Sequence, residues 1–360
     1  MSDTNSNPMN PFLGRLTEVK DIATEIKLFK VELLNGGSES FQGYQPGQFA
    51  FVSAFGRGEA PFGIANASER GPQLEFAINR LGSVTTDLHE LGEGDIVGVR
   101  GPLGNWFPMD RFKGKNLVVL GGGIGGAPLR PVIQTILDNR SNYGLLTILW
   151  AARLPSLLVF TDEYDEWRSA PNTELHLTVD KGDEKWEHNV GLITDLLKKV
   201  NPSPKDTVTI TCGPPIMIYF TEKMLAEMGF APESNYVTLE ARMHCGLGKC
   251  GRCNLGEKLI CVDGPVFHMG EVGSLLETFL SHRCRGRCFI RGRVQNQTCT
   301  LFDLLHGTRL TKVAYNGIIT RSLLKTYEID QHQPYHHYPA LPLLLSYPGT
   351  FVQQCSSFHY

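Results

Sequence analysis

No stretch of about 18 apolar residues occurs in the 360-residue chain, so a membrane-spanning helix is not expected. The N-terminus, MSDTNSNPMNPF, has neither a basic leader region nor an apolar core. It does not read as a secretory signal, and a cytoplasmic location is expected. Charge of one sign is lacking too, since 34 Lys/Arg against 37 Asp/Glu leave a net of −3. Without a dominant positive field, nucleic acid is excluded as the principal partner. No repeat of solenoid length is visible. Nor is there an obvious catalytic acid–base dyad.

What is present is globular. Hydrophobic residues make up 41% and charged residues 20%, a balance that can bury a core. At roughly 100–200 residues per domain, two or three domains are expected. The 38 glycines cluster, which points to loops that approach ligands closely. Charge divides the chain: residues 271–360 carry nine Lys/Arg and five Asp/Glu, whereas the first 270 carry 25 and 32.

The region 10–112 reads as strands at Ile26–Leu33, Gln48–Ala54, Leu74–Asn79 and Asp95–Arg100, with a helix at Val84–Leu91. Short apolar runs bounded by Gly and Pro predict a small antiparallel barrel or sandwich. The region 113–234 alternates instead. Strands are predicted at Asn116–Leu120, Leu145–Ala151, Glu174–Val179 and Thr207–Thr211. Helices are predicted at 127–139, 155–168, 192–200 and 216–228. That alternation is the pattern of a doubly wound parallel α/β domain. A strand at Tyr236–Leu239 leads into a cysteine-rich segment, 235–270.

Four constellations carry chemistry. Gly121, Gly122, Gly123, Gly125 and Gly126 lie between a predicted strand and a predicted helix. Such a turn lets backbone N–H groups reach a pyrophosphate at the helix N-terminus. Cys212, Gly213 and Pro214 also turn a strand into a helix, at the sheet edge where these folds bind ligands. Cys212 could face a ligand ring, but a buried small hydrophobe is the stronger reading. Gly82, Ser83, Val84 and Thr85 open the short helix and suit either a phosphate or an ordinary cap.

The fourth is the most specific. Cys245, Cys250 and Cys253 follow C-x4-C-x2-C, a [2Fe–2S] spacing that needs one more cysteine downstream, and Cys261 supplies it. Structural zinc is the alternative, since four thiolates also suit Zn²⁺; zinc sites, however, usually repeat C-x2-C pairs and only one is present. His244 reads as surface or as a residue behind the ligands.

Together with Ala60-Pro61-Phe62-Gly63-Ile64-Ala65, these motifs resemble the ferredoxin–NADP reductase superfamily over residues 10–270. Within it the chain is most similar to the electron-transfer subunits of sulfhydrogenase (gamma), anaerobic sulfite reductase and dihydroorotate dehydrogenase. The resemblance implies FAD on the barrel at Pro61–Ile64 and Gly82–Thr85. It also implies NAD(P)H on the glycine loop with Cys212–Pro214 facing the nicotinamide, and a [2Fe–2S] cluster on the four cysteines. Ala60, Phe62 and Gly63 stand where the family has Arg, Tyr and Ser, so a guanidinium and a hydroxyl contact to flavin would be missing. Electrons would pass from NAD(P)H through flavin and cluster to a catalytic subunit of a hetero-oligomer, of hydrogenase or sulfite reductase type, or of dihydroorotate dehydrogenase type. A zinc-stabilised nucleotide-binding regulatory module is the reading from another class. The tail, 271–360, does not resemble the family; Cys284, Cys288 and Cys299 give only weak support for a second metal site.

Overall fold

In a computed structural model, residues 7–276 are described. The tail cysteines Cys284, Cys288 and Cys299 lie outside the described residues. The described residues fall in one compact unit.

The first sheet holds β1 (Phe12–Ala23), β2 (Ile26–Leu33), β3 (Phe49–Ala54), β4 (Gly58–Gly63), β5 (Leu74–Asn79) and β6 (Ile96–Leu103), with α1 (Gly37–Ser40) and α2 (Ser83–His89) between them. Its order is β4-β3-β6-β1-β2-β5, antiparallel throughout. The two end strands approach where the Ala65 N–H, just past β4, donates to the Glu75 carbonyl of β5 at 2.8 Å. The sheet therefore curls into a barrel around Phe29, Val31, Phe76, Val97 and Val99. Alternation drives this: along β2, Phe29, Val31 and Leu33 are buried in the barrel, Lys30 is half-buried and Glu32 is exposed.

After α3 (Met109–Phe112) the second sheet begins. It contains β7 (Asn116–Gly122), β8 (Leu146–Ala152), β9 (Thr173–Val179), β10 (Asn189–Val190), β11 (Thr207–Cys212) and β12 (Asn235–Thr238), interleaved with α4 (Arg130–Asp138), α5 (Tyr164–Ser169), α6 (Ile193–Val200) and α7 (Pro215–Glu227). After a small hairpin of β13 (Asn254–Leu255) and β14 (Lys258–Leu259), β15 (Val266–His268) returns antiparallel to β12. The order is β10-β9-β8-β7-β11-β12-β15. All pairs but the last are parallel. β7 and β8 are continuous apolar runs because helices cover both of their faces. Each helix lays down an apolar stripe; in α6 it is Ile193, Leu196 and Leu197.

Two predicted helices differ. The helix expected from 127 starts at Arg130, because residues 123–126 form a 3₁₀ turn first. The helix expected over 155–168 is broken into two 3₁₀ turns and α5. Phe160 takes a left-handed conformation there (φ 59°), which a continuing helix forbids.

Barrel and second sheet are clamped by Arg130. Its guanidinium, 9% exposed, meets Glu75 of β5 and Glu163, both at 2.5 Å, and donates to the Ala65 carbonyl at 2.9 Å. Burial of such an ion requires this full set of partners. Among the described residues no helix is long and apolar enough to cross a membrane.

A buried acid in α7 carries a testable consequence. Burial pushes the Glu222 carboxyl from its ordinary 4.5 up to about 8, against the opposing bonds from Thr211 and Asn235. Its Oε1 accepts from the Thr211 hydroxyl at 3.2 Å, and its Oε2 has no partner. The native state thus keeps a proton that the unfolded chain releases above 4.5, so stability falls as pH rises from that value through about 8. The interval corresponds to about 5 kcal/mol. Glu222→Gln is expected to flatten that fall. Urea midpoints at pH 5 and pH 9 check it, and an equal drop in variant and wild type would refute the buried proton.

Candidate functional site

The chain steps outward from β7 to β10 and then jumps back to β11, so β7 and β11 flank the point where the sheet order reverses. Ligands of such sheets bind at the carboxyl ends of those strands. Both predicted loops lie there, because Cys212 pairs with Gly121 across the two strands. They touch: a Cβ at Gly125 would lie 2.7 Å from the Gly213 backbone.

The glycines of this loop do different jobs. Added side chains at Gly121 and Gly126 would strike the Trp150 ring, and at Gly122 and Gly213 the Met217 side chain. These four are glycine because protein packs against them. Gly123 alone combines a left-handed backbone (φ +57°) with open space where a Cβ would point. It is the position of the loop open to a ligand.

Barrel strand β4 comes to the same place. A Cβ on Gly63 would meet Pro128 of the glycine loop at 3.1 Å. A serine there would press on that proline, which is a local reason for glycine where the resembling family has Ser. β4 ends the sheet order, so its outer backbone edge has no strand partner. Ala60, Pro61, Phe62 and Gly63 are half-buried along it, and Ile64 is buried in the barrel. α2 lies beside the start of β4, with Val84 3.7 Å from a Cβ built on Gly58. The Thr85 hydroxyl there accepts from the Leu81 and Gly82 N–H groups, as a cap does. The Gly63 end of β4, the glycine loop and Cys212–Pro214 thus meet, while Gly82–Thr85 lies toward the Gly58 end of the same strand. The Cys212 side chain is itself buried, and desolvation, then the nearby Glu240 charge, pushes its thiol pKa up. Cys212 is a neutral thiol packed in the core beneath the loop, as the buried-hydrophobe reading expects.

A concavity of about 610 Å³ lies between β9, β10 and α6, lined by His176, Asn189 and Lys199 among others. No predicted site residue borders it. The chemistry-bearing residues, not the size of the hollow, identify the cleft at β7 and β11.

The cysteine segment rests on both sheets. Cys253 and Cys261, 2% and 1% exposed, sit in a core with Phe49 and Phe51 of the barrel, Ile218 of α7 and Val237 of β12. Cys250 and His244 are exposed. Left-handed glycines at 246, 248 and 251 turn the loop's N–H groups inward. Leu247, Lys249 and Cys250 N–H groups donate to Cys245 Sγ at 3.3–3.4 Å, and the Gly248 N–H donates to Cys261 Sγ at 3.3 Å. Burial opposes ionisation of Cys245, but the three N–H groups and the Cys250 thiol outweigh it and lower its pKa to about 6. Burial, then the Cys253 thiol, pushes Cys261 up to about 12. The Cys250 thiol neighbours Cys245 and the Cys253 thiol neighbours Cys261, with Cys245 also close enough to Cys261 to act on it by charge. Among the described residues no three potential ligands converge on one metal-sized point.

Two barrel residues that the sequence does not single out hold this segment. Arg100 donates to the Cys245 carbonyl at 2.8 Å. The Asn105 side chain donates to the Asp263 and Val266 carbonyls and accepts from the Val266 N–H.

A barrel and a doubly wound sheet that meet at the glycine loop, with a four-cysteine loop seated on both, fit a nucleotide-dependent reductase that carries a metal-cluster segment. Comparison with known proteins supplies the family. A profile described as "Oxidoreductase NAD-binding domain" matches residues 119–223, and one described as "Iron-sulfur cluster binding domain of dihydroorotate dehydrogenase B" matches residues 240–273. Sulfhydrogenase 1 subunit gamma of Pyrococcus furiosus is 37% identical over 277 residues, covering 75% of this chain and 94% of that one. Sulfhydrogenase 2 subunit gamma of the same organism is 34% identical over 280 residues, covering 72% and 96%. A probable dihydroorotate dehydrogenase B (NAD(+)) electron transfer subunit of Methanocaldococcus jannaschii is 33% identical, covering 71% and 89%. In fold, the chain is similar to one from the NADH-dependent reduced ferredoxin–NADP oxidoreductase, at TM-score 0.59 and 24% identity, covering 79% of this chain and 100% of that one. The chain belongs to the ferredoxin–NADP reductase superfamily, in the group that holds these electron-transfer subunits. The expectation of an electron-transfer oxidoreductase using NAD(P)H, flavin and an iron–sulfur cluster is borne out.

Proposed function

We propose that this chain is the subunit that takes electrons from NAD(P)H and delivers them, through a [2Fe–2S] cluster, to a hydrogenase-type catalytic subunit. The observation that carries the reading is a four-cysteine segment whose backbone N–H groups point at the Cys245 and Cys261 sulfurs. A [2Fe–2S] core needs two thiolates on each of two irons, so two adjacent pairs suit it. Structural zinc sites usually repeat C-x2-C pairs, and the segment has only one, Cys250 and Cys253.

The remaining roles follow from placement. Gly123 and the loop around it would hold the nucleotide pyrophosphate, and Gly213 and Pro214 would lie along the nicotinamide. The open edge of β4, with Pro61 and Phe62, would carry FAD, backbone groups and the Phe62 ring replacing the side-chain contacts that Ala60 and Gly63 lack. Cys245 and Cys250 would hold one iron, Cys253 and Cys261 the other. A bound flavin accepts a hydride and passes electrons on singly, and a cluster relays them one at a time. No side chain of the cleft needs to move a proton for this; the protein's part is to hold the groups in reach of one another. The cysteines are all free in the described residues, in keeping with a reducing, cytoplasmic setting. The likeness to two sulfhydrogenase gamma subunits over nearly their whole length favours a hydrogenase-type partner over a dihydroorotate dehydrogenase.

Purified protein is expected to be coloured. It should contain FAD together with iron and inorganic sulfide in equal amounts, and show a paramagnetic signal on reduction. A colourless protein holding zinc would overturn the proposal. Affinity purification of the full chain from its native cells is expected to bring down a hydrogenase-type subunit, and hydrogen turnover by the chain alone would contradict the division of labour.

A further inference from the structure

Arg100 of β6 is a barrel residue, yet it reaches across 145 residues of sequence to the cluster loop. Its side chain is 2% exposed. The guanidinium lies over the Phe51 ring, 4.2 Å from the ring centre. Its Nε and Nη2 fork onto Glu59 at 3.3 and 2.5 Å, and its Nη1 donates to the Cys245 carbonyl at 2.8 Å. Glu59 stands two residues before Pro61 on β4, the strand assigned to flavin. Gly246, the residue after Cys245, is pressed on the same wall: a Cβ there would lie 2.7 Å from Phe51 and 3.4 Å from Arg100 Nη1. One buried planar cation therefore ties the flavin strand to the peptide that carries the first cluster cysteine.

We propose that Arg100 is a positioning residue that fixes the Cys245 peptide relative to β4, and so sets how fast electrons pass from flavin to cluster. The proposal rests on the reading of Cys245–Cys261 as a cluster site. The fork geometry is what matters. Arginine satisfies Glu59 and the carbonyl at once, from different nitrogens of one rigid plane. The ammonium of a lysine is a single point on a flexible stem and cannot span both partners. With the tether gone, the carbonyl of Cys245 loses its donor and the loop relaxes away from the wall. The three N–H bonds that converge on Cys245 Sγ then change geometry.

The test uses the full chain with its cofactors. In wild type, Arg100→Lys and Glu59→Gln, stopped-flow absorbance follows flavin reduction by NADH and the later reduction of the cluster. The readout is the ratio of the two rates, so a general loss of folded protein cancels. The paramagnetic spectrum of the reduced cluster is recorded alongside. Arg100→Lys is expected to lower the ratio about tenfold, within the range found for residues that orient metal ligands, and to alter the spectral line shape. Glu59→Gln should shift both in the same direction by less. An unchanged ratio and line shape in Arg100→Lys would overturn the proposal. If that variant fails to fold, the same result in Glu59→Gln overturns it. Wild-type protein without iron would instead bring down the underlying reading, a distinct outcome that iron analysis detects first.

Discussion

Cys253→Ser is expected to strip the chain of its cluster while NADH-dependent reduction of a flavin-accepting dye survives. Cys253 is buried in an apolar core with Ile260 and Leu255. Serine there replaces a soft thiolate by a harder oxygen and places a hydroxyl among hydrocarbon side chains. Three thiols remain, and Cys261 loses the sulfur it faces. Iron content should fall to a small fraction, and electron delivery to the catalytic partner by at least about tenfold. The glycine loop and the β4 edge lie outside that core, so the inlet for electrons keeps its geometry. Retention of iron and of partner activity would refute the ligand assignment. Loss of dye reduction as well would show that the cluster segment holds the whole unit together. Its contacts with Phe49 and Phe51 make that second outcome a real test of modularity.

The parts of this molecule that are legible in the sequence are local ones. β5 runs over the predicted residues 74–79, because an apolar run between turn residues has little freedom to be anything else. The cysteine spacing points to cluster chemistry because a short loop must bring its thiols together. The long strand β1 is not foreseeable in the same way: its half-exposed, charge-rich run FLGRLTEVKDIA lacks a clean alternation. β4 stands out as a motif and not as an edge strand, since Pro61 and Gly63 argue against a strand until its place at the sheet's margin is seen.

The site divides the same way. The sequence locates the glycine loop but offers all its glycines to a ligand. Trp150 and Met217, the side chains that explain three of them and Gly213 of the neighbouring loop, are brought there by tertiary packing. Arg100 and Asn105 carry no signal at all. A lone arginine next to Gly101-Pro102 has no local feature that distinguishes it from a solvated one, and its partners lie 41 and 145 residues away. Residues that join modules are selected by contacts between distant segments, and neither periodicity nor spacing encodes those.

That division of the glycines yields the second large effect. Gly123→Val is expected to abolish nucleotide-dependent reduction while leaving the cluster spectrum intact. Gly123 sits at φ +57° with nothing within 4 Å of a built Cβ, so the new side chain meets no protein and projects into the open cleft. A β-branched residue is a poor fit to that left-handed backbone, which costs roughly 1–2 kcal/mol, a modest fraction of a domain's stability. The nucleotide, by contrast, loses the close backbone approach; a displacement of about 1 Å at a reacting centre can lower turnover roughly a hundredfold. Gly125→Ala is the contrasting variant. Its methyl would stand 2.7 Å from the Gly213 backbone, which cannot swing aside as a side chain could. It should therefore part the two loops, lowering the thermal midpoint and weakening nucleotide binding together. The measurement is nucleotide affinity against melting temperature for the pair. Gly123→Val should lose affinity with little change in melting, and Gly125→Ala should lose both. Wild-type affinity in Gly123→Val would mean that the pyrophosphate does not approach this backbone, and that the cleft at β7 and β11 binds its ligand from another side.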